Sequence, residues 1–334
     1  MQPAVELNQL SKSFSVRRPR AGGVAARFRD LVSADTHTVL AIDRLSFSIA
    51  PGERVAFIGP NGAGKSTTLK ILAGILHPDT GDVSVLGLVP ARQRTQLAFQ
   101  IGTVFGQRSQ LWYQLPPRDT FELLGSVYEI DKVEHRRRID ALVATFGVGA
   151  FMNTPVRQLS LGERMRCEIV ASLLHSPRLL FLDEPTIGLD VSAKALIRDL
   201  LRAGSEEEQI TLLLTSHDTG DMESVCERVI VIHHGRLLWD GPLERLRRSY
   251  LKGKRVTLWT EAEHLDLQLP GVHVVSSRLH RTHLEIAFDT TPLGSVVDAA
   301  AKQSLIRDMV IDDPPLDEVI RALYTNAEGR STSP

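Results

Sequence analysis

Gly59-Pro60-Asn61-Gly62-Ala63-Gly64-Lys65-Ser66-Thr67 matches G-x-x-x-x-G-K-[ST], the pattern of a loop that wraps phosphates with its backbone N–H groups. The apolar run Val55-Ala56-Phe57-Ile58 leads into it and reads as a buried strand. Thr68-Leu69-Lys70-Ile71-Leu72-Ala73 follows with the spacing of a helix that opens on the loop. A helix N-terminus adds partial positive charge to a bound anion, and the glycines let the backbone close without Cβ clashes. In this pattern Lys65 is expected to reach the β- and γ-phosphates, and Ser66 to hold Mg2+. A glycine-rich turn alone would be weak evidence. Strand, loop and helix in this order argue for a phosphate site.

Around this stretch, 334 residues suffice for a sizeable core and point to two domains. The 39 basic residues are balanced by 40 acidic ones, for a formal net charge of −1, so nucleic acid is not an expected partner. Cys167 and Cys226 match no metal spacing and fit a reducing compartment as small core residues. No apolar run approaches the roughly 18 residues needed to span a bilayer. Met1-Gln2-Pro3-Ala4-Val5-Glu6 lacks the regions of a signal peptide. The expectation is a cytoplasmic protein.

Upstream, Val5-Glu6-Leu7-Asn8-Gln9-Leu10 alternates as a half-buried strand should. A basic insertion at about 16–37 carries five arginines between Arg17 and Arg29. It interrupts a hairpin that Val39-Leu40-Ala41-Ile42 and Leu45-Ser46-Phe47-Ser48-Ile49 resume. Two readings stand for it, a solvated surface insertion or contact with anionic headgroups, where each arginine contributes roughly 1 kcal/mol.

Downstream, Ile101-Gly102-Thr103-Val104-Phe105-Gly106-Gln107 reads as a buried strand with a polar end, and Thr120 to Phe146 as helical. Leu179-Leu180-Phe181-Leu182-Asp183-Glu184 ends an apolar run in two carboxylates, and Ile210 to His217 ends another in a histidine. Parallel strands that finish in polar residues place them where open α/β sheets bind ligands. Arg228 to Ile232 and Leu237 to Trp239 form a hairpin; His233 and His234 on its turn are expected to point apart, which argues against metal. After Leu246 the chain turns basic, then shows four short strands and two helices without a chemical motif.

Five further pieces occur in a fixed order around the phosphate loop, and together the chain resembles the ATP-binding subunit of an ABC transporter from roughly Val5 to Leu246. Leu159-Ser160-Leu161-Gly162-Glu163 is similar to that family's signature, Asp183 and Glu184 to its Walker B pair, and Gly188-Leu189-Asp190 to its D-loop. Gln107 matches the Q-loop and His217 the switch histidine, and Phe14 stands where the family stacks an aromatic on adenine. The resemblance implies a P-loop NTPase core, α/β, with an antiparallel β subdomain and a helical subdomain at about 108–175. It implies ATP and Mg2+ as ligands. Residues 1–246 would form this ATPase domain, 247–325 a small C-terminal α+β accessory domain, and 326–334 a disordered tail.

The chemistry explains the residue types, since phosphoryl transfer to water asks mostly for positioning and charge neutralisation. Asp183, with Ser66 and Gln107, suits the metal shell; Glu184 suits a general base; His217 contacts the γ-phosphate. Ser160 and Gly162 precede a helix and would present a hydroxyl, an N–H and a helix dipole to the ATP of a second subunit. Asp190 would join that surface. Plainer readings are a packed strand end for His217, an N-cap for Ser160 and core packing for Phe14. Leu161 and Glu163 replace the usual glycine and glutamine, and Arg164-Met165-Arg166 follows. These, with Phe105 to Trp112, are similar to bacterial exporters of the ABC-2 class.

The resemblance therefore implies a homodimer bound to a separate integral membrane permease on the inner face of the cell membrane, working in export. An importer subunit with a regulatory C-terminal domain and a soluble ABC ATPase are the alternatives. Trp112 and Tyr113, ahead of Pro116 and Pro117, read either as a socket for a permease helix or as packing inside the helical subdomain.

Overall fold

Val55 to Ile58 forms the centre of β3 (Arg54–Ile58), a strand buried along its apolar length in a six-stranded sheet. In this computed structural model residues 2–17, 36–106, 109–250, 253–287, 290–313 and 315–331 are described. The neighbours of β3 are β5 (Ile101–Phe105), β6 (Leu179–Asp183), β7 (Thr211–Thr215), β8 (Arg228–His233) and β9 (Arg236–Pro242), in the order β5-β6-β7-β3-β8-β9. The pairs from β5 through β8 are parallel. Leu179 to Leu182 of β6 and Leu212 to Leu214 of β7 are apolar runs because both faces of a parallel sheet are covered.

A three-stranded antiparallel sheet of β1 (Val5–Arg17), β2 (Thr36–Ile49) and β4 (Thr80–Val85) packs beside it. Val5, Leu45, Phe57, Leu69, Phe181 and Ile230 belong to one continuous core that joins the two sheets to helix α1 (Lys65–Leu72). Each such side chain, fully buried, contributes about 1.5–3 kcal/mol. A short helix α2 (Arg94–Ala98) precedes β5.

The helical stretch divides in two, α3 (Pro117–Val127) and α4 (Lys132–Thr145). Glu129 takes a left-handed backbone (φ +53°) and Asp131 caps α4 by accepting the N–H groups of Val133 and Glu134, which ends one helix and starts the next. α5 (Leu161–Leu173), α6 (Val191–Glu208) and α7 (Thr219–Val225) complete this part.

The chain divides into two compact units between Gly241 and Pro242, a few residues before the expected boundary at 246. The reason is α8 (Leu243–Tyr250), whose Leu243 and Leu246 are buried within the second unit, where α8 packs against α10 (Leu316–Ser331). Arg247 and Arg248, where the chain turns basic, lie on this helix. The rest of the unit is a four-stranded antiparallel sheet of β10 (Gly253–Thr260), β11 (Val272–Arg278), β12 (Arg281–Ala287) and β13 (Ile306–Asp312), in the order β11-β12-β10-β13. α9 (Leu293–Gln303) buries Val296 and Ala300 against Val256, Leu258, Leu284 and Ile286. α10 continues to Ser331, where a disordered tail from residue 326 was expected; 332–334 lie outside the described residues. Most of the basic insertion, residues 18–35, also lies outside them.

Candidate active site

Gly64, the N-cap of α1, has φ +105°, and a Cβ there would lie 2.5 Å from the Ala41 carbonyl oxygen. Only glycine meets both demands. A Cβ at Gly59 would stand 2.5 Å from the Ile232 carbonyl oxygen, so the loop is closed to side chains at both ends. No side chain caps α1 and its first turn holds no acidic residue, which leaves its first amides and their positive potential for an anion. Pro60, Asn61, Gly62 and Ala63 form the turn between them, and Thr67 lies partly exposed on the first turn of the helix.

Lys65 is buried, and its Nζ donates to the Gly59 carbonyl at 2.6 Å and the Pro60 carbonyl at 3.4 Å. It also stands 3.3 Å from His217 Nε2. Burial holds the Lys65 ammonium below its ordinary value, with Glu184 and Asp183 opposing. Asp183 and Thr215 end neighbouring strands in register. The hydroxyls of Ser66 and Thr215 donate to Asp183 Oδ1 at 3.3 and 2.7 Å. Ser66 and Asp183 thus gather the hard oxygen donors that Mg2+ takes along with substrate phosphates.

Glu184 adopts a left-handed backbone, φ +57°, rare for a residue with a side chain. Its N–H donates to the carbonyl and the hydroxyl of Thr215, each at 3.1 Å. Its Oε1 then lies 3.1 Å from His217 Nε2. Burial pushes the Glu184 carboxyl above the usual carboxylate range, against the pull of His217 and Lys65. Gly106 approaches from β5: its N–H donates to the Asp183 carbonyl at 3.0 Å, and a Cβ there would meet that oxygen at 2.9 Å. Lys65, Ser66, Asp183, Glu184 and His217 therefore converge at the C-terminal edge of the sheet. Gln107 lies outside the described residues.

Ser160, Gly162 and Asp190 gather elsewhere, around a cavity of about 350 Å³ that none of the Lys65 cluster lines. Ser160 is the N-cap of α5, in a capping box: its hydroxyl accepts the Glu163 N–H while the Glu163 carboxylate accepts the Ser160 N–H at 2.8 Å. Asp190 caps α6 by accepting the Ala193 N–H at 2.8 Å. Two helix N-termini thus open on one cavity. Phe14, half-buried, pairs with Val39 on the ribbon whose Ala41 abuts Gly64, and Lys12 Nζ stands 5.6 Å from its ring centre.

Two features escaped the sequence reading. The Thr215 hydroxyl joins Asp183 to Glu184, and Asp221, 1% exposed, accepts from Thr186, Ser216 and Arg198 Nε, the last at 2.6 Å. The hydroxyls Thr215-Ser216 before His217 were the available signal. His233 and His234 do not point apart: their ring centres are 4.1 Å from each other, because His234 (φ +47°) leaves the strand conformation. Trp112 and Tyr113 are exposed, 47% and 55%, so packing inside the helical subdomain does not hold for them; Leu111 fills that place at 3%.

A family model described as ABC transporter matches residues 42–187. The ABC transporter ATP-binding protein NatA of Bacillus subtilis is 33% identical over 211 residues, 63% of this chain and 85% of that protein. The chain belongs to the ABC transporter ATP-binding proteins. The Nod factor export ATP-binding protein I of Sinorhizobium fredii is 36% identical over 239 residues, 70% of this chain and 65% of that protein. A solved dimer of an ATP-binding cassette in a post-hydrolysis state, bound to ADP and Pi, superposes with a TM-score of 0.60 at 26% identity. It covers 72% of this chain and 98% of that one.

As an ABC ATPase the chain hydrolyses ATP to ADP and phosphate in the service of a transporter. Its departure at Leu161 has a structural counterpart: a Cβ on Gly188 (φ +74°) would lie 3.1 Å from Leu161 Cδ2, so signature and D-loop touch within one ABC subunit. No helix among the described residues is long and apolar enough to cross a membrane.

Proposed function

We propose that this ABC subunit acts as a homodimer on the inner face of the cell membrane, where it powers export through a separate integral membrane permease. The observation that carries the reading is the meeting of Lys65, Ser66, Asp183, Glu184 and His217 at one sheet edge. Lys65 leaves its own loop carbonyls to bind the β- and γ-phosphates of ATP. Ser66 and Asp183, with Gln107, would hold Mg2+, which when bound would offset the charge of the phosphates. Glu184 takes a proton from the attacking water, and His217 fixes its carboxylate and contacts the γ-phosphate. Phe14 packs on the adenine.

The cavity at Ser160, Gly162 and Asp190, on which the N-termini of α5 and α6 open, serves the ATP of the second copy. Dimerisation thus completes each site from two chains, and hydrolysis separates them. Leu161 and Glu163, together with the likeness to a Nod factor export protein, support export as the direction. Exposed Trp112 and Tyr113 supply the aromatic surface on which a permease helix docks.

Isolation of the tagged chain from cross-linked membranes of its own cell tests the assembly. A polytopic membrane protein should copurify in equal amount with it. Everted vesicles carrying that pair should then accumulate the transported compound on ATP addition, and the E184Q pair should not. Recovery from the soluble fraction alone would overturn the membrane assignment, and uptake by right-side-out vesicles the direction.

A further inference from the structure

Glu168 is a buried carboxylate with no part in the chemistry above. It lies on α5, 4% exposed, among Cys167, Ile169 and Val170, which are wholly buried. At 1.5 Å per residue it stands about 12 Å along the helix axis from Ser160. Burial pushes its carboxyl above the usual range, opposed by the hydrogen bonds that it accepts. An apolar side chain at this place would bury without desolvating a charge. The acceptor oxygens therefore need an explanation.

Both oxygens are used on one short segment. Oε1 accepts the Ser109 hydroxyl and Oε2 accepts the Gln110 N–H at 3.1 Å. The Gln110 side chain donates in turn to the Thr103 carbonyl on β5 at 2.9 Å and towards the Glu168 carbonyl at 3.4 Å. Leu111, buried, completes the anchor, and the exposed Trp112 and Tyr113 follow at once. At its other end α5 presents the capped Ser160. Arg138 of α4 donates to the Leu173 carbonyl at the end of α5, so α4 and α5 are tied as well.

We propose that Glu168 is a positioning residue that locks Ser109–Leu111 to α5, so that the Trp112–Tyr113 edge and the Ser160 tip move as one body. A push on the edge then reaches the second copy's ATP through a single rigid helix, with no intervening hinge. The proposal rests on the reading of Ser160 and Trp112 given under the proposed function. Its content is mechanical: charge-assisted hydrogen bonds to a buried carboxylate hold a segment more firmly than apolar packing would.

Spin labels at Tyr113→Cys and Val133→Cys test this in the full chain carrying E184Q. Val133 on α4 is 78% exposed, and the native cysteines are buried. Labelled chain is diluted with unlabelled chain, and distances are measured with and without Mg·ATP, alongside light scattering for the dimer. The parent should keep one narrow distance, shifted by less than about 2 Å, while the dimer forms. In E168A, or in S109A should E168A not fold, the distribution should widen about two-fold with the dimer still forming. Distributions in S109A or E168A that match the parent would overturn the proposal, as would a parent distance that moves with ATP. Failure of the parent to form a dimer would instead defeat the reading of Ser160.

Discussion

His217 Nε2 lies 3.1 Å from Glu184 Oε1, held there by the left-handed backbone of Glu184 at φ +57°. A strand continued past Asp183 in ordinary geometry would not set its next side chain in this place. The Thr215 carbonyl and hydroxyl, both taking the Glu184 N–H, support the strained conformation, of the kind that clusters at functional sites. Glu184→Gln keeps this geometry and loses the proposed base. We expect turnover to fall about 10²- to 10⁴-fold with ATP binding retained and a stable dimer in light scattering. A monomer with normal turnover would contradict it.

The same carboxyl sets a pH dependence. Glu184 accepts a proton only when ionised, and burial raises its pKa above the ordinary 4.5. Turnover should therefore be lost, as pH falls, at a pH above 4.5. A kcat profile whose acid limb is centred at or below that value would remove Glu184 as the base.

Lys65→Ala should abolish ATP binding without unfolding the chain. Lys65 Nζ bonds only to its own loop carbonyls and to His217 among its described contacts, so the fold loses little packing. Calorimetric titration and a thermal melt check the two halves of this statement. Retained affinity would sink the phosphate assignment.

Asp79 ties down the ribbon that carries Phe14. Its carboxylate accepts from Lys12 Nζ at 2.6 Å, the Ser13 N–H at 2.7 Å and the Ser13 hydroxyl at 2.6 Å, which hold its pKa near about 2 against an ordinary 3.8. A lowered carboxylate contributes stability above its ordinary value and loses it as pH falls towards 2. The difference in Tm between wild type and Asp79→Ala should be largest above about pH 4, shrink as pH falls towards 2 and vanish only below it. Equal differences at both ends would show that the contacts do not act electrostatically. Half-exposed as it is, Asp79 should shift Tm modestly.

Asp221→Ala removes the acceptor that Arg198, Thr186 and Ser216 share. Arg198 keeps its ion pair with Asp218 at 3.0 Å, so the cost is that of buried hydroxyls left without their acceptor, about 1–3 kcal/mol, to be read as a lower denaturation midpoint. Thr186 and Ser216 flank Glu184 and His217 in the chain, so turnover should drop with stability. A variant of normal stability would show that water replaces the carboxylate.

Trp112→Ala, at an exposed position, should change stability by less than about 0.5 kcal/mol and leave the ATPase of the isolated subunit intact. Transport by the assembled complex should fall. Loss of stability in the range of a buried tryptophan, roughly 3–5 kcal/mol, would return Trp112 to the core.

The phosphate loop and its flanking strand and helix were legible in residues 55–73, because glycine spacing and apolar runs are local properties with local causes. The strand end at Asp183 was legible for the same reason, and that before His217 to within two residues, since the strand stops at Thr215: apolar parallel strands stop where polar residues begin. Capping at Ser160 could be read from Glu163 three residues on. Local pattern could not say that Thr215 would bridge Asp183 and Glu184, that Asp221 would collect three donors, or that Glu168 would hold Ser109. Each joins residues far apart in the chain, and their distances depend on how sheet and helices pack. The exposure of Trp112 and the meeting of the His233 and His234 rings are of this kind too. An aromatic residue suits a core and a docking surface equally, and a strand's alternation ends wherever a turn demands positive φ. Only the packed chain chooses between such alternatives, since burial and backbone strain are set by neighbours that the local sequence does not contain.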